Sequence, residues 1–272
     1  MNTQQKNTRP NVMDLYLDSA PSPQNALDIF QGEWSSILPE PYTTLRAGTA
    51  APLFNDERIL WLADQIGGFT DKIILELGPL EAGHTYMLEK MGAAEITAIE
   101  SNTRSFLKCL IIKELLKLKH AQFLCGDFRE FLRQQNDSLK FEICVASGVL
   151  YHMKNPAELI ALLTRHCSGH LFIWTHYYDA DIILNNPGLN ARFSGSTESE
   201  HEGFKHTLYR QEYQTALEWH GFCGGNAPTS AWLARDDIMR CLEHFGFKMQ
   251  AISFDHPNHP GGPAFAFVAR RS

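Results

Sequence analysis

The stretch ELGPLEAGHT, residues 76–85, begins inside an apolar run at residues 72–78 and ends inside residues 84–91, whose pattern predicts a helix. A buried strand that ends in glycine and opens a helix is typical of the first turn of a doubly wound α/β sheet. Gly78 lets the backbone turn sharply and lets a ligand approach it closely. The helix after Gly83 offers free backbone N–H groups. The stretch therefore predicts both the fold and the place where a nucleotide-like ligand binds.

Beyond this turn, segments of strand length alternate with segments of helical period as far as residue 177. Such alternation predicts a mostly parallel sheet with helices on both faces. A short loop joins the last two predicted strands, so the final strand should run antiparallel to the others. We therefore expect an α/β, doubly wound, Rossmann-like fold with a seven-stranded, mostly parallel sheet and an antiparallel last strand. The strands after the first are predicted at 95–100, 122–127, 141–147, 170–177, 249–254 and 264–269, and the later helices at 102–118, 129–135, 157–167 and 235–245.

Two segments extend this framework. Residues 1–70 form an N-terminal extension, helical over 55–66, that could serve as a lid, although Trp34 within it could equally be a packing residue. Residues 71–272 form the ligand-binding domain. After the fifth strand, residues 178–233 are polar and without strong periodicity, and we interpret them as a substrate-binding insertion.

Composition narrows the class of protein. A chain of 272 residues suits one large α/β domain, and its net charge of −7 argues against a nucleic-acid partner without excluding a local basic patch. The six cysteines form no CxxC pair and most lie in apolar segments, which predicts buried free thiols in a reducing compartment. Neither a secretory signal in residues 1–10 nor an 18-residue apolar run is present in the sequence. A cytoplasmic protein without a membrane segment is expected, and its oligomeric state is not indicated.

Three adenosine-containing ligands compete for the first turn. The dinucleotide pattern G-x-G-x-x-G fails because Leu80 stands two residues after Gly78. The phosphate-binding pattern G-x-x-x-x-G-K-[ST] is nearly met, but His84 replaces its lysine. Glu76 and Glu81 would also repel phosphate. S-adenosylmethionine (SAM) carries no phosphate and bears an ammonium group, so nearby carboxylates favour it.

Acidic residues at the next strand ends suit the same ligand. Glu100 lies 22 residues after Gly78, where an acid accepts hydrogen bonds from ribose hydroxyls. Asp127 could accept the adenine amino proton while Phe128 covers the ring. Each residue alone could be a solvated acid or a helix N-cap, but their order at successive strand ends favours ligand binding. The fourth strand ends in SGVLYHM, residues 147–153, which should face the same crevice.

The order ELG…G, AIE, GDF and ASGVLYHM resembles class I SAM-dependent methyltransferases over about residues 70–177 and, more loosely, at the terminal hairpin. The resemblance implies SAM as cofactor and methyl transfer as the activity, with Glu76 near the methionine part, Glu100 at the ribose and Asp127 at the adenine. Leu80 and Ala82 depart from the family pattern, which has glycines at both places. The complete set of expected cofactor residues is Glu76, Gly78, Pro79, Leu80, Gly83, His84, Thr85, Glu100, Ser101, Asn102, Asp127, Phe128, Ser147, Gly148 and Leu150.

Two other functions remain open from the sequence. The ELGP-like turn, the GVLYH stretch and Trp232-Leu233 loosely resemble the transfer-RNA wobble-uridine carboxymethyltransferases, which would imply a carboxylated SAM and an RNA partner. The acidic net charge argues against this branch. The chain could also bind SAM or a nucleotide without catalysis.

Catalytic candidates lie at the ends of strands four and five. Tyr151, His152 and His176 are placed there, and a histidine of ordinary pKa suits a general base, although it could also only shape the pocket. The motif His256-x-x-His259 has no clear third ligand, so no metal is expected. The acceptor is expected to be a small molecule, and the aromatic residues of the insertion would suit an apolar or aromatic one.

Overall fold

Strands and helices alternate along most of the computed structural model, which describes residues 16–219 and 221–272. The strands are β1 (Ile73–Leu77), β2 (Glu95–Glu100), β3 (Ala121–Cys125), β4 (Phe141–Ser147), β5 (Cys167–His176), β6 (Phe193–His201), β7 (Phe204–Glu212), β8 (Thr229–Trp232), β9 (Phe247–His256) and β10 (Ala264–Arg271). The α-helices are α1 (Pro23–Asp28), α2 (Glu57–Ile66), α3 (Gly83–Lys90), α4 (Thr103–Leu116), α5 (Phe128–Gln134), α6 (Pro156–His166), α7 (Ala180–Leu184), α8 (Pro187–Asn190) and α9 (Arg235–His244).

Seven strands form the main sheet in the order β3-β2-β1-β4-β5-β10-β9. Strands β1 to β5 are mutually parallel, and β10 runs antiparallel to both β5 and β9. The predicted fold class is thus confirmed, including the antiparallel last strand. Each face of the sheet carries its own apolar cluster, one containing Leu75 and Leu77 and the other Ile74. Because both faces are covered, β1 is an unbroken apolar run apart from Glu76 rather than an alternating one.

Polar residues directly after the strands begin the following helices. The Asn102 side chain accepts hydrogen bonds from the backbone N–H groups of Arg104 and Ser105, and Asp127 accepts one from Arg129. Such caps satisfy donors that have no partner inside the helix. They also fix where α4 and α5 begin, at the carboxyl edge of the sheet.

The insertion is more regular than its sequence suggests. Strands β6, β7 and β8 form a separate three-stranded antiparallel sheet, preceded by α7 and α8. The sequence indicated no regular pattern in this insertion. The reason lies in β6, FSGSTESEH, which carries polar side chains on both faces. This strand lies at the edge of its sheet and is largely exposed, so no apolar alternation marks it.

The N-terminal extension packs into the main core. Leu27, Phe30 and Trp34 are buried in the cluster that also contains Ile74 of the sheet. The indole N–H of Trp34 donates to the carbonyl of Leu27 at 2.8 Å. Trp34 therefore has a packing role, and any part of residues 1–15 in a lid lies outside the described residues.

Two further findings concern the length of the helices and the state of the cysteines. None of the helices within the described ranges is long and apolar enough to span a membrane. All six cysteines are free thiols, and Cys109, Cys144, Cys167 and Cys241 are buried.

Candidate functional site

A cavity of about 850 Å³ opens at the carboxyl ends of β1 to β5. Its wall comes from the residues that follow these strands, from Trp174 within β5, and from residues 223–227 of the insertion. The volume lies in the range of small-molecule and cofactor sites, about 300–1,000 Å³. We call it the strand-end cavity.

Most of the expected cofactor residues meet at this cavity. Glu76, Gly83, Thr85 and Leu150 do not line it; they lie behind its wall, where Glu76 accepts a hydrogen bond from the Thr85 hydroxyl at 2.5 Å. Burial raises the pKa of Glu76. The expected residues that line the cavity are Gly78, Pro79, Leu80, His84, Glu100, Ser101, Asn102, Asp127, Phe128, Ser147 and Gly148.

The loop after β1 has three alternating residues in the left-handed conformation that glycine adopts most easily. Gly78, Leu80 and Ala82 all have positive φ, at 65°, 55° and 58°. For a residue with a Cβ this left-handed conformation costs about 1–2 kcal/mol. Two hydrogen bonds from backbone N–H groups offset that strain, one from Ala82 to the carbonyl of Pro79 and one from Leu80 to the Glu100 carboxylate. Leu80 and Ala82 therefore adopt, at some cost, the conformation that glycine would adopt without strain.

Glu100 joins the first two strand ends. One carboxylate oxygen accepts from the backbone N–H of Asn102 at 2.8 Å and the other from that of Leu80 at 3.2 Å. The residue is only 5% exposed, and burial raises its pKa despite these bonds. Each oxygen keeps a further lone pair, so Glu100 can still accept a hydrogen bond from a ligand in the cavity.

Asp127 is already paired. Its carboxylate contacts the Arg129 guanidinium, with Nη2 2.6 Å from Oδ2. Burial opposes ionisation, but the bonds to Arg129 outweigh it and lower the pKa of Asp127. Arg129 and Phe128 line the cavity beside it, and the spare lone pairs of Asp127 remain available to a donor.

His84 is bound to a carboxylate rather than presented to a phosphate. Its Nε2 lies 2.8 Å from Asp56 Oδ2, and Arg58 binds the same carboxylate through Nε and Nη2. Burial works against the charge on Asp56, yet His84 and Arg58 hold the pKa of this carboxyl well below its ordinary value. The side chain of His84 is therefore engaged by Asp56, and the charge of Asp56 is neutralised by Arg58.

The catalytic candidates separate into two groups. Tyr151 and His152 line the cavity, whereas His176 does not. His176 stacks on Trp232 at 5.1 Å, and its Nδ1 lies 2.8 Å from the carbonyl oxygen of Gly262. Burial lowers the pKa of both histidines to about 4 and raises that of Tyr151. Both imidazoles are therefore neutral at pH 7.

Sequence reasoning missed several lining residues. Trp174 carries the Arg58 guanidinium 4.8 Å above its ring, and both line the cavity with Lys154. Trp174 is two residues before His176 in β5, so strand periodicity could have marked it as pointing to the same side. No local signal marks Arg58 or residues 223–227, since only folding brings them to the strand ends. Across the described part of the chain, no group of three or more histidine, cysteine or acidic residues is placed to hold a metal.

Comparison with known proteins identifies the fold. No family model and no curated protein matches the chain. Among solved structures, one match is the N-terminal domain of EvdMO1, which was crystallised in the presence of S-adenosylhomocysteine (SAH) and D-fucose. The TM-score is 0.65 at 17% sequence identity, and the match covers 92% of this chain and 95% of that one. The chain has the class I methyltransferase fold. Two further matches support this assignment.

Magnesium protoporphyrin IX methyltransferase from Synechocystis PCC 6803, with bound SAH, matches with a TM-score of 0.53 at 15% identity over 80% of this chain and 81% of that one. A SAM-dependent methyltransferase from Mesorhizobium loti matches with a TM-score of 0.55 at 13% identity over 80% of this chain and all of that one. At these identities the likeness concerns the fold.

Proposed function

We propose that this protein transfers a methyl group from SAM to a small-molecule acceptor. The observation that carries the proposal is one cavity lined by two chemically different sets of residues. Glu100 and the Gly78 loop belong to one set, and Tyr151, His152 and Trp174 belong to the other. A cofactor held by the first set and an acceptor held by the second would therefore share the cavity.

The polar residues of the cavity fit SAM better than a nucleotide phosphate. The guanidinium groups of Arg58 and Arg129 are each paired with a carboxylate, so neither is free to neutralise a phosphate. Glu100 would accept hydrogen bonds from the ribose hydroxyls, Asp127 would accept one from the adenine amino group, and Phe128 would pack on the adenine. The carboxylate of Glu100 favours a ligand with an ammonium group at its side of the cavity.

When bound, SAM supplies an electrophilic methyl group on a sulfonium sulfur. The chain's own contribution is then to hold the acceptor in line with that methyl group and to exclude water. Such positioning contributes up to about 7–11 kcal/mol of barrier lowering. Tyr151 and Trp174 offer apolar surfaces for this purpose, and residues 223–227 form a further part of the lining.

A small acceptor agrees with the matched structures. EvdMO1 was crystallised with a sugar, and the Synechocystis enzyme is named for a porphyrin. Both are small molecules, and the strand-end cavity is of a size that holds a cofactor together with part of such an acceptor.

Calorimetric titration with SAH tests the cofactor, with ATP and NAD as competing ligands. We expect SAH alone to bind, and Glu100→Gln to weaken it about 10- to 100-fold, because a charge-assisted hydrogen bond contributes about 1.5–3 kcal/mol. Glu95→Gln is the matched control, since Glu95 is exposed at the other end of β2. Preference for ATP or NAD would overturn the proposal. It would favour phosphate binding at residues 78–85, where the phosphate-binding pattern is nearly met. Methyl transfer to a panel of small acceptors then separates an enzyme from a binding module.

A further inference from the structure

The loop between β7 and β8 is closed at its base and supplies part of the cavity wall. The backbone N–H of Tyr213 donates to the carbonyl of Pro228 at 3.0 Å, so the two ends of the loop lie together. Residues 223–227 of this loop line the strand-end cavity. We call residues 222–227 the wall segment. The 3-10 helix earlier in the loop has no buried residue, so contacts with other parts of the protein must fix where the wall segment lies.

His152, which follows β4, contacts both the base of this loop and the wall segment. Its Nδ1 lies 2.6 Å from the Tyr213 hydroxyl at the base. A hydroxyl both donates and accepts, so this bond forms whichever of the two atoms supplies the proton. The ring of Phe222 packs edge-on to the imidazole, with centroids 6.4 Å apart, and on the ring of Tyr213 at 4.7 Å. One imidazole therefore connects the base of the loop to the wall segment.

The backbone of the wall segment also lies against this imidazole. A Cβ placed on Gly224 would lie 2.7 Å from His152 Nδ1 and 2.6 Å from Phe222 Cζ. Cβ atoms in proteins essentially never approach other heavy atoms within 3.0 Å, so a larger residue here would displace one of the two rings. Gly224 and His152 both line the cavity. The packing between them therefore sets the position of this part of the wall.

Two other contacts lie near the wall segment. The Asn102 side chain donates to the carbonyl of Phe222 at 3.4 Å, a long distance for a hydrogen bond. The backbone N–H of Ala231 donates to the carbonyl of Met153 at 2.8 Å, which connects β8 rather than the wall segment to the turn after β4. Among the described residues, the short polar contact between this loop and the turn after β4 is therefore the one that His152 makes.

We propose that His152 is a positioning residue, whose imidazole holds the wall segment in place at the strand-end cavity. The consequence for cofactor binding rests on the proposed function. Glu100 and Cys223 line the same cavity, so a wall segment that moved away would leave a cofactor bound beside Glu100 more exposed to water. Tyr213 does not line the cavity. Removing its hydroxyl should nevertheless act on the cavity, because it acts through His152.

Alkylation of Cys223 by iodoacetamide, followed by mass spectrometry, measures whether the wall segment is held in the free protein. Part of Cys223 is exposed, but the surrounding protein desolvates its thiol and raises its pKa to about 11, from the ordinary 9.0. Only the thiolate reacts, so a return to the ordinary pKa would speed alkylation up to about 100-fold. We expect at least about fivefold faster alkylation of Cys223 in His152→Leu and in Tyr213→Phe.

The matched variants separate this contact from a general loss of structure. The amide of His152→Asn reaches the position of the imidazole Nδ1 and can bond to Tyr213, so Cys223 should react more slowly in it than in His152→Leu. Tyr209→Phe should leave the rate unchanged, because Tyr209 lies in the same small sheet but stacks on Tyr178 at 3.6 Å. An exposed thiol at the end of β3, that of Cys125, should react at one rate in every variant.

Titration of the same proteins with SAH gives the second measurement. His152→Leu and Tyr213→Phe should each weaken SAH binding about 2- to 10-fold, the range that one neutral hydrogen bond accounts for. Unchanged Cys223 alkylation in both variants, or an equal increase at Cys125, would overturn this proposal even where SAH binds normally. Failure of the wild-type protein to bind SAH would instead refute the proposed function, and alkylation would still decide whether His152 holds the wall segment.

Discussion

Lys108 and Glu81 form an ion pair inside the protein, with Nζ 3.0 Å from Oε1 and side-chain exposures of 7% and 1%. Glu81 also accepts from the backbone N–H groups of Ser35 and Ser36, at distances of 2.8–3.2 Å. One carboxylate on the loop after β1 thereby connects the N-terminal extension to the main domain. Its charge is neutralised by a single lysine.

Removing that lysine should therefore be costly. Lys108→Met leaves the Glu81 charge buried without a cation, and we expect the free energy of unfolding to fall by about 3–5 kcal/mol. Lys117→Met, which breaks an exposed pair with Glu114, should cost much less, because solvent screens that pair. Urea unfolding measures both. Equal losses in the two variants would show that the buried pair has no special role.

The segment between β7 and β8 contributes to the wall of the strand-end cavity. Its short 3-10 helix, Gln214–Glu218, has no buried residues, whereas residues 223–227 line the cavity. The Asn102 side chain donates to the carbonyl of Phe222 at 3.4 Å, which connects this segment to the end of β2. A segment with few buried contacts unfolds locally more easily than the core. A ligand that contacts it should therefore slow its hydrogen exchange.

Hydrogen exchange tests that expectation. Backbone amides of 221–227 should exchange rapidly in the free protein and more slowly with SAH bound, because the ligand would fill the cavity that residues 223–227 line. The edge strand β6 belongs to the same insertion but does not line the cavity, so its exchange should not change. Protection of β6 with no protection of 221–227 would contradict this arrangement.

The stability of the whole molecule should depend on His176. Burial lowers its pKa from the ordinary 6.5 to about 4. Between these values the unfolded chain binds a proton that the folded chain does not, so stability is full above pH 6.5 and falls on acidification towards about pH 4. The slope from this residue is at most about 1.4 kcal/mol per pH unit.

His176→Asn removes the titrating group while keeping a donor for the Gly262 carbonyl. We expect urea unfolding of this variant to show a shallower loss of stability than the wild type between pH 6.5 and about pH 4. His120→Asn, at an exposed site, should keep the wild-type slope. A His176→Asn slope equal to that of the wild type would mean that His176 takes up its proton in the folded state without cost.

Much of this fold was predictable, because the relevant signals are local. Buried strands on a two-sided sheet are apolar runs, helices repeat near every 3.6 residues, and glycines or capping residues mark the ends. These local features are enough to locate Gly78, Glu100 and Asp127 at successive strand ends. Strand β6 escaped prediction for the opposite reason: an exposed edge strand has no buried face to leave an apolar pattern.

The sequence by itself determined the parallel half of the sheet and the residues that meet at its carboxyl edge, since parallel strands joined by helices leave few alternatives. Folding alone settled which distant residues complete the site. Tyr213 contacts His152 although the two residues are 61 positions apart in the sequence. Arg58 contacts Trp174, which lies 116 positions (174 − 58) further along the chain. His176, equally promising by spacing, is instead stacked on Trp232 behind the wall. Such contacts depend on how the insertion and the N-terminal extension pack, and no local periodicity encodes that packing.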